Sequence, residues 1–192
     1  MWPYGTPLAW TAIAYGTWMY FTDEWKRSVV DIGPLWLAHT IRAIAKAAMS
    51  ALGVTWDYEL SGSVSKVRSS IGNQGAIGCI GPHGAYSIAA LFLGVPSFRC
   101  DSELRDLKVS IIGASVLFYV PFVREYLLLF GVREATVPTT KLLLHAGRIV
   151  ALCPGGIYEQ VHTEHNQEKV FAQKRLGFLR LALELHVPIL VM

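Results

Sequence analysis

Two short apolar runs constrain this chain more than anything else in it. Ala76–Ile80 and Ile149–Cys153 have the length of a strand and carry no charge. Each stops in a Gly/Pro turn: Gly81-Pro82-His83-Gly84 after the first, Pro154-Gly155-Gly156 after the second. A strand apolar on both faces is buried on both faces, as in a parallel sheet covered by helices. Lys108–Ile112 and Val187–Met192 read as further buried strands, and the alternation of Val54–Leu60 reads as a half-exposed one. Helical patterns lie between them: Ala85–Leu93, Val120–Phe130 ended by Gly131, Thr139 or Thr140 to Ala146 closed by Gly147, and Leu176–His186. Asp101 or Ser102 caps a short helix. Ser61–Gly75, rich in Ser and Gly, reads as a loop, as does the polar stretch from Tyr158-Glu159-Gln160 to Lys169. The expectation is an α/β fold: a largely parallel sheet with flanking helices.

Residues 1–53 have a different character. Leu8–Phe21 is uncharged but only about 14 residues long, short of the roughly 17–25 that cross a bilayer. Five of the six tryptophans lie in the first 36 residues: Trp2, Trp10, Trp18, Trp25 and Trp36. Such enrichment suits the headgroup level of a membrane; the other reading is a helix buried against the domain. After a break at Asp31-Ile32-Gly33-Pro34, Leu35–Leu52 is helical, with His39, Arg42, Lys46 and Ser50 in one polar stripe. That pattern fits an interfacial helix or a core helix with one wet edge. Lys26 and Arg27, following the apolar segment, favour a cytoplasmic location for the rest. The expected division is 1–53, membrane-anchoring helices, and 54–192, an α/β domain. Composition agrees: the chain is 53% hydrophobic and 16% charged, against typical values of roughly 45–50% and ~25%. The net charge of +3, scattered without a run, argues against a nucleic-acid partner and suits anionic headgroups or a phosphorylated small molecule. Cys79, Cys100 and Cys153 are widely spaced without a CxxC, so they read as small hydrophobes in a reduced compartment.

Sites in parallel α/β sheets gather beyond the carboxyl ends of strands. If the two leading strands are neighbours, His83 and Glu159 meet at one edge. His83 is then the natural general base, because imidazole titrates near neutral pH. Glu159 orients it or binds substrate, and glycine N–H groups of either turn receive an oxyanion or phosphate. Arg124 and Glu125, inside an apolar stretch, read as a surface ion pair or as an anchor at the rim of a ligand site. Lys174 and Arg175 read as cations near a phosphate or as a helix turn facing water. His162, Glu164, His165 and Glu168 lack HExxH order and read as a solvated loop, so no metal is expected. There is neither a GxxxxGK[ST] nucleotide loop nor a GxSxG elbow.

Gly81-Pro82-His83-Gly84, Phe122-Val123-Arg124-Glu125-Tyr126, Pro154-Gly155-Gly156 with Glu159, Lys174-Arg175-Leu176-Gly177-Phe178-Leu179-Arg180-Leu181-Ala182 and Val187-Pro188-Ile189 occur in that order. Over Val54–Met192 this resembles the type-2 diacylglycerol acyltransferase family, which includes monoacylglycerol and wax-alcohol acyltransferases, within the wider glycerolipid acyltransferases. The resemblance implies a membrane enzyme of the endoplasmic reticulum or lipid-droplet surface, its catalytic domain cytoplasmic. It would move an acyl group from acyl-CoA, a co-substrate and not a cofactor, to the hydroxyl of diacylglycerol. His83 matches the family's catalytic histidine, and Gly81, Pro82, Gly84, Arg124, Glu125, Pro154, Gly155, Gly156, Lys174 and Arg175 fall at motif positions expected around substrate. Two departures stand out. The family pattern is His-Pro-His-Gly, with Gly81 here at its first position. The wider pattern sets an Asp five residues after the histidine, where this chain has Ile88, leaving Glu159 as the candidate orienter. The alternatives are transfer to monoacylglycerol, to a long-chain or phytyl alcohol or to a lysophospholipid, and an inactive membrane-bound homologue. Because Val187–Met192 reads as a core strand with no capping segment after it, the domain reads as incomplete at its C-terminus.

Overall fold

The structure is a computed structural model that describes residues 5–55, 64–81, 90–162, 164 and 176–191. Its centre is a five-stranded sheet of β1 (Ala76–Cys79), β2 (Val109–Gly113), β3 (Arg133–Glu134), β4 (Ile149–Leu152) and β5 (Ile189–Val191), in the order β3-β2-β4-β1-β5. Every pairing is parallel. The α/β expectation therefore holds for the sheet. The two runs that introduced the argument, β1 and β4, pair directly, with Ala76 opposite Ile149 and Cys79 opposite Leu152.

Helices cover both faces, and the alternation of side chains along the strands shows which covers which. Ala76 of β1 and Ile149 and Ala151 of β4 pack with Ile71, Leu104 and Leu107. These come from α3 (Val64–Ile71), α5 (Ser102–Arg105) and the turn after it, with α4 (Val95–Cys100) beside them. Ile77 and Val150 point the other way, onto Leu143, Leu144, Leu181 and Ala182. Those residues lie on α7 (Val137–His145) and α9 (Gly177–Leu185). Burial on both faces is what a continuous apolar strand requires.

Several elements depart from the sequence reading. A helix, α3, stands where a Ser-rich loop is expected, because Val64, Val67 and Ile71 recur at helical spacing and press on the core. α7 starts at Val137 and not at Thr139 or Thr140. Thr136 caps it by accepting from the Thr139 N–H at 3.3 Å, with Pro138 in the first turn. α6 (Val123–Leu129) begins later than Val120, after a 3-10 turn over Ser115–Tyr119 and a positive φ of 65° at Phe122. α8 (Gly156–His162) is a helix and not the start of a loop. The expected strand at Val54–Leu60 falls mostly outside the described residues, as does most of the helix expected at Ala85–Leu93.

The N-terminal part comprises α1 (Gly5–Phe21), a 3-10 turn at Asp23–Arg27 and α2 (Leu35–Ala51). No helix among the described residues is long and apolar enough to cross a membrane. α2 packs Leu37, Ala38 and Ile41 against Cys100, Leu129 and Phe130. Its polar stripe is not simply a wet edge: Arg42 turns inward to Asp101 at 2.7 Å and to Ser97 at 3.2 Å, while Trp36, Ile44 and Leu52 face outward. Lys26 and Arg27 are likewise committed inside the protein, Lys26 buried against Asp23 at 2.7 Å and Arg27 against Glu134 at 2.8 Å. The basic pair from which the sequence reading drew orientation is thus neutralised by local carboxylates.

Candidate active site at the carboxyl end of the β1–β4 pair

The chain leaves β1 toward β2, on one side of the sheet, and leaves β4 toward β5, on the other. Adjacent strands whose onward connections depart in opposite directions leave a crevice between them, the usual ligand position in open α/β sheets. The Ile80 N–H donates to the Leu152 carbonyl at 2.9 Å, so the ladder runs to the ends of both strands. From that end emerge Gly81, exposed and with no atom within 4 Å of where a Cβ would stand, and Cys153-Pro154-Gly155-Gly156.

Pro154 and Gly155 form a tight turn, closed by the Gly156 N–H to the Cys153 carbonyl at 3.0 Å. Gly156, at φ 52°, then starts α8. Glu159, in the first turn of α8, is only 2% exposed. Its carboxylate folds back over Gly155, whose missing Cβ makes the room. A carboxylate buried to this degree is almost never left without a partner. Two thiols border it. Burial, the Glu159 charge and Cys79 push the Cys153 thiol up to about 11, and burial raises Cys79 as well. Both sulfurs are free and protonated at neutral pH. Their position at the site follows from the last residues of the two strands, a signal present in the sequence but absorbed there into the apolar runs.

Of the other residues singled out from sequence, His83, Pro82, Gly84, Lys174 and Arg175 lie outside the described residues, as do His165 and Glu168. His162 stacks on Tyr158 and meets the Tyr158 carbonyl at 2.8 Å. Arg124 and Glu125 lie elsewhere, at the start of α6. The Arg124 guanidinium is sealed from solvent, donates to the carbonyl of Thr22 at 2.6 Å and to its hydroxyl at 2.8 Å, pairs with Glu125 at 3.1 Å and lies over Trp18. Glu125 accepts from the Phe122 N–H at 2.9 Å and from the Tyr15 hydroxyl at 2.5 Å. Together they bolt α1 onto α6. Glu125 also lines an apolar cavity of about 390 Å³ with Trp18, Trp25, Leu37, Ile41 and Tyr126, a size in the range of small-ligand pockets, ≈ 300–1,000 Å³.

Comparison with known proteins now adds to this geometry. The family described as diacylglycerol acyltransferase matches residues 69–191, from the end of α3 to the last strand. The chain belongs to the diacylglycerol acyltransferase family. It is 30% identical over 105 residues to Diacylglycerol O-acyltransferase 2 of Dictyostelium discoideum, covering 53% of this chain and 32% of that protein. It is 39% identical over 72 residues to human Acyl-CoA wax alcohol acyltransferase 1, covering 36% of this chain and 22% of that protein. It is 33% identical over 70 residues to human 2-acylglycerol O-acyltransferase 3, covering 35% and 20%. The aligned part thus spans about a third of these relatives' length or less. No solved structure matches.

Proposed function

We propose that this protein transfers a fatty acyl group from acyl-CoA to the hydroxyl of diacylglycerol, with His83 as the general base. The observation that carries the reading is the buried carboxylate of Glu159 at the end of β4, beside the strand whose following turn contains His83. His83 takes the proton of the acceptor hydroxyl. The oxygen attacks the thioester carbonyl, backbone N–H groups hold the oxyanion, and the C–S bond breaks as the tetrahedral centre collapses. The imidazolium returns the proton to the departing CoA sulfur, so an ester and a thiol leave. A positioned base supplies roughly 10²–10⁴-fold. Glu159, in this reading, orients the imidazole that neither Gly81 nor Ile88 can orient. Gly155 and Gly156 line the acyl side with Pro154, and Lys174 and Arg175 hold CoA phosphates. No metal takes part.

The setting is the cytoplasmic face of the endoplasmic reticulum, with residues 1–53 as anchor and 54–192 as catalytic domain. At 1.5 Å per residue α1 is about 26 Å long, less than the ~30 Å of a hydrocarbon core. Its exposed Leu8, Trp10, Ile13, Tyr20 and Phe21, with Trp36, Ile44 and Leu52 of α2, suit a monotopic anchor lying in the interface. Relatives named for diacylglycerol, 2-acylglycerol and wax alcohol make a monoacylglycerol or a long-chain alcohol the competing acceptors.

The test is labelled acyl-CoA given to membranes carrying the full chain, with diacylglycerol, monoacylglycerol and a long-chain alcohol in turn. His83→Ala is expected to lower ester formation by about 10² or more and to leave membrane association intact. Undiminished synthesis by that variant sinks the mechanism. An absence of product with any acceptor makes the protein an inactive member of its family.

A further inference from the structure

The opposite end of the sheet holds a second arrangement. The link between the 3-10 turn and α2, residues 28–33, crosses the amino ends of the strands and is held by three arginines through its main-chain carbonyls. Arg133 donates to Ser28 at 2.6 Å and Val30 at 2.7 Å. Arg148 donates to Val29 at 2.9 Å, and Arg99 to Ile32 and Gly33, both at 2.6 Å. Carbonyl oxygens carry no net charge, so these bonds orient the guanidinium groups without neutralising them. The one acidic side chain at this end of the link, Asp31, pairs with Arg148 at 3.0 Å.

Beside the link is a small pocket lined by Asp31, Phe98, Arg99, Arg105, Lys108, Val109, Phe130, Gly131 and Arg148, four cations against one carboxylate. Arg105 and Lys108 are exposed at its mouth and carry no ion-pair partner among the described residues. Deeper in, Arg148 has a buried Nε–H with no acceptor among the described residues. The repulsion is felt in titration as well: burial first, then Arg148 and Arg99, hold the Arg133 guanidinium down to about 10. The pocket has a volume of about 40 Å³, little more than the ≈ 30 Å³ share of one water. It admits a single anionic end group and no chain or ring.

We propose that this pocket at the amino ends of β2, β3 and β4 binds a phosphate group, with Arg105 and Lys108 closing on its oxygens and Arg148 beneath them. The phosphate belongs either to the headgroup of an anionic lipid or to a soluble phosphate compound. The site lies at the end of the sheet remote from Glu159 and does not depend on the acyl-transfer reading.

Binding, not turnover, tests it. The full chain is mixed with vesicles of phosphatidylcholine, with the same vesicles containing phosphatidic acid, and, without vesicles, with inorganic phosphate while its thermal midpoint is followed. The site variant is Arg105→Gln with Lys108→Gln, both exposed. The charge-matched control is Lys46→Gln with Arg180→Gln, exposed residues away from the pocket. The wild type and the control are expected to gain affinity when phosphatidic acid is added, or midpoint when phosphate is added. The site variant is expected to lose that gain, roughly fivefold for each cation removed. A loss confined to vesicles makes the ligand a lipid headgroup, and a loss confined to inorganic phosphate makes it a soluble compound. Equal losses in site and control variants, or no response of the wild type to either probe, overturn the site.

Discussion

Glu159 and Gly155 form the tightest constraint at the candidate site, since the carboxylate occupies the space a side chain at Gly155 would need. Gly155→Ala places a methyl group against that carboxylate and against the backbone turn that starts α8. The expected outcome is a loss of acyl transfer of about 10²-fold, the usual effect of displacing a positioned group by ~1 Å, with a stability cost of about 1–3 kcal/mol. Initial rates and a denaturant titration measure the two. Gly81→Ala, made where nothing lies within 4 Å, is the stability control and is expected to change the midpoint little. Residue identity was legible here only in part. Glu159 could be singled out because a carboxylate follows a Gly/Pro turn at a strand end. Its burial could not, because burial depends on α8 folding back over its own turn. Arg124 shows the converse. Its charge amid apolar residues drew attention, yet the structure engages it with Thr22, more than a hundred residues earlier in the chain.

Among the elements, α1 and α2 carry the clearest physical consequence. An isolated amphipathic helix buries its apolar residues and wets its polar ones; α2 instead turns Arg42 toward Asp101 and leaves Trp36 and Ile44 outside. Exposed apolar surface of this extent marks a contact still to be made. Replacing Trp10, Ile13 and Phe21 together by serine is expected to weaken association with phosphatidylcholine vesicles by at least about tenfold, as each loses a share of the ~1.5–3 kcal/mol that burying such a side chain is worth. Vesicle sedimentation measures it; unchanged sedimentation would remove α1 from the anchor. The boundaries of α2 could be read closely from its period, whereas α3 was hidden by its serines. Composition marks a loop, but three apolar residues at helical spacing suffice once a sheet lies beneath them.

Across the whole molecule the sheet is organised on β4, which pairs with β2 on one side and β1 on the other. Val150 is wholly buried there, while Val191 on edge strand β5 is 93% exposed. Val150→Ala is expected to cost about 2 kcal/mol and Val191→Ala less than about 0.5 kcal/mol, read from urea midpoints. Similar costs at both positions would contradict the order β3-β2-β4-β1-β5. That the sheet is parallel and covered on both faces follows from the sequence alone, because strands without a polar face have no other place to go. So does the position of the site at strand ends, because only there do Gly/Pro turns release the backbone from the ladder. Which strands are neighbours was decided by the tertiary structure. Strand order is set by how helices pack across the two faces, through contacts far apart in sequence that no local pattern encodes. The pairing of β1 with β4, and with it the meeting of the two turns at one end, is a property of that packing.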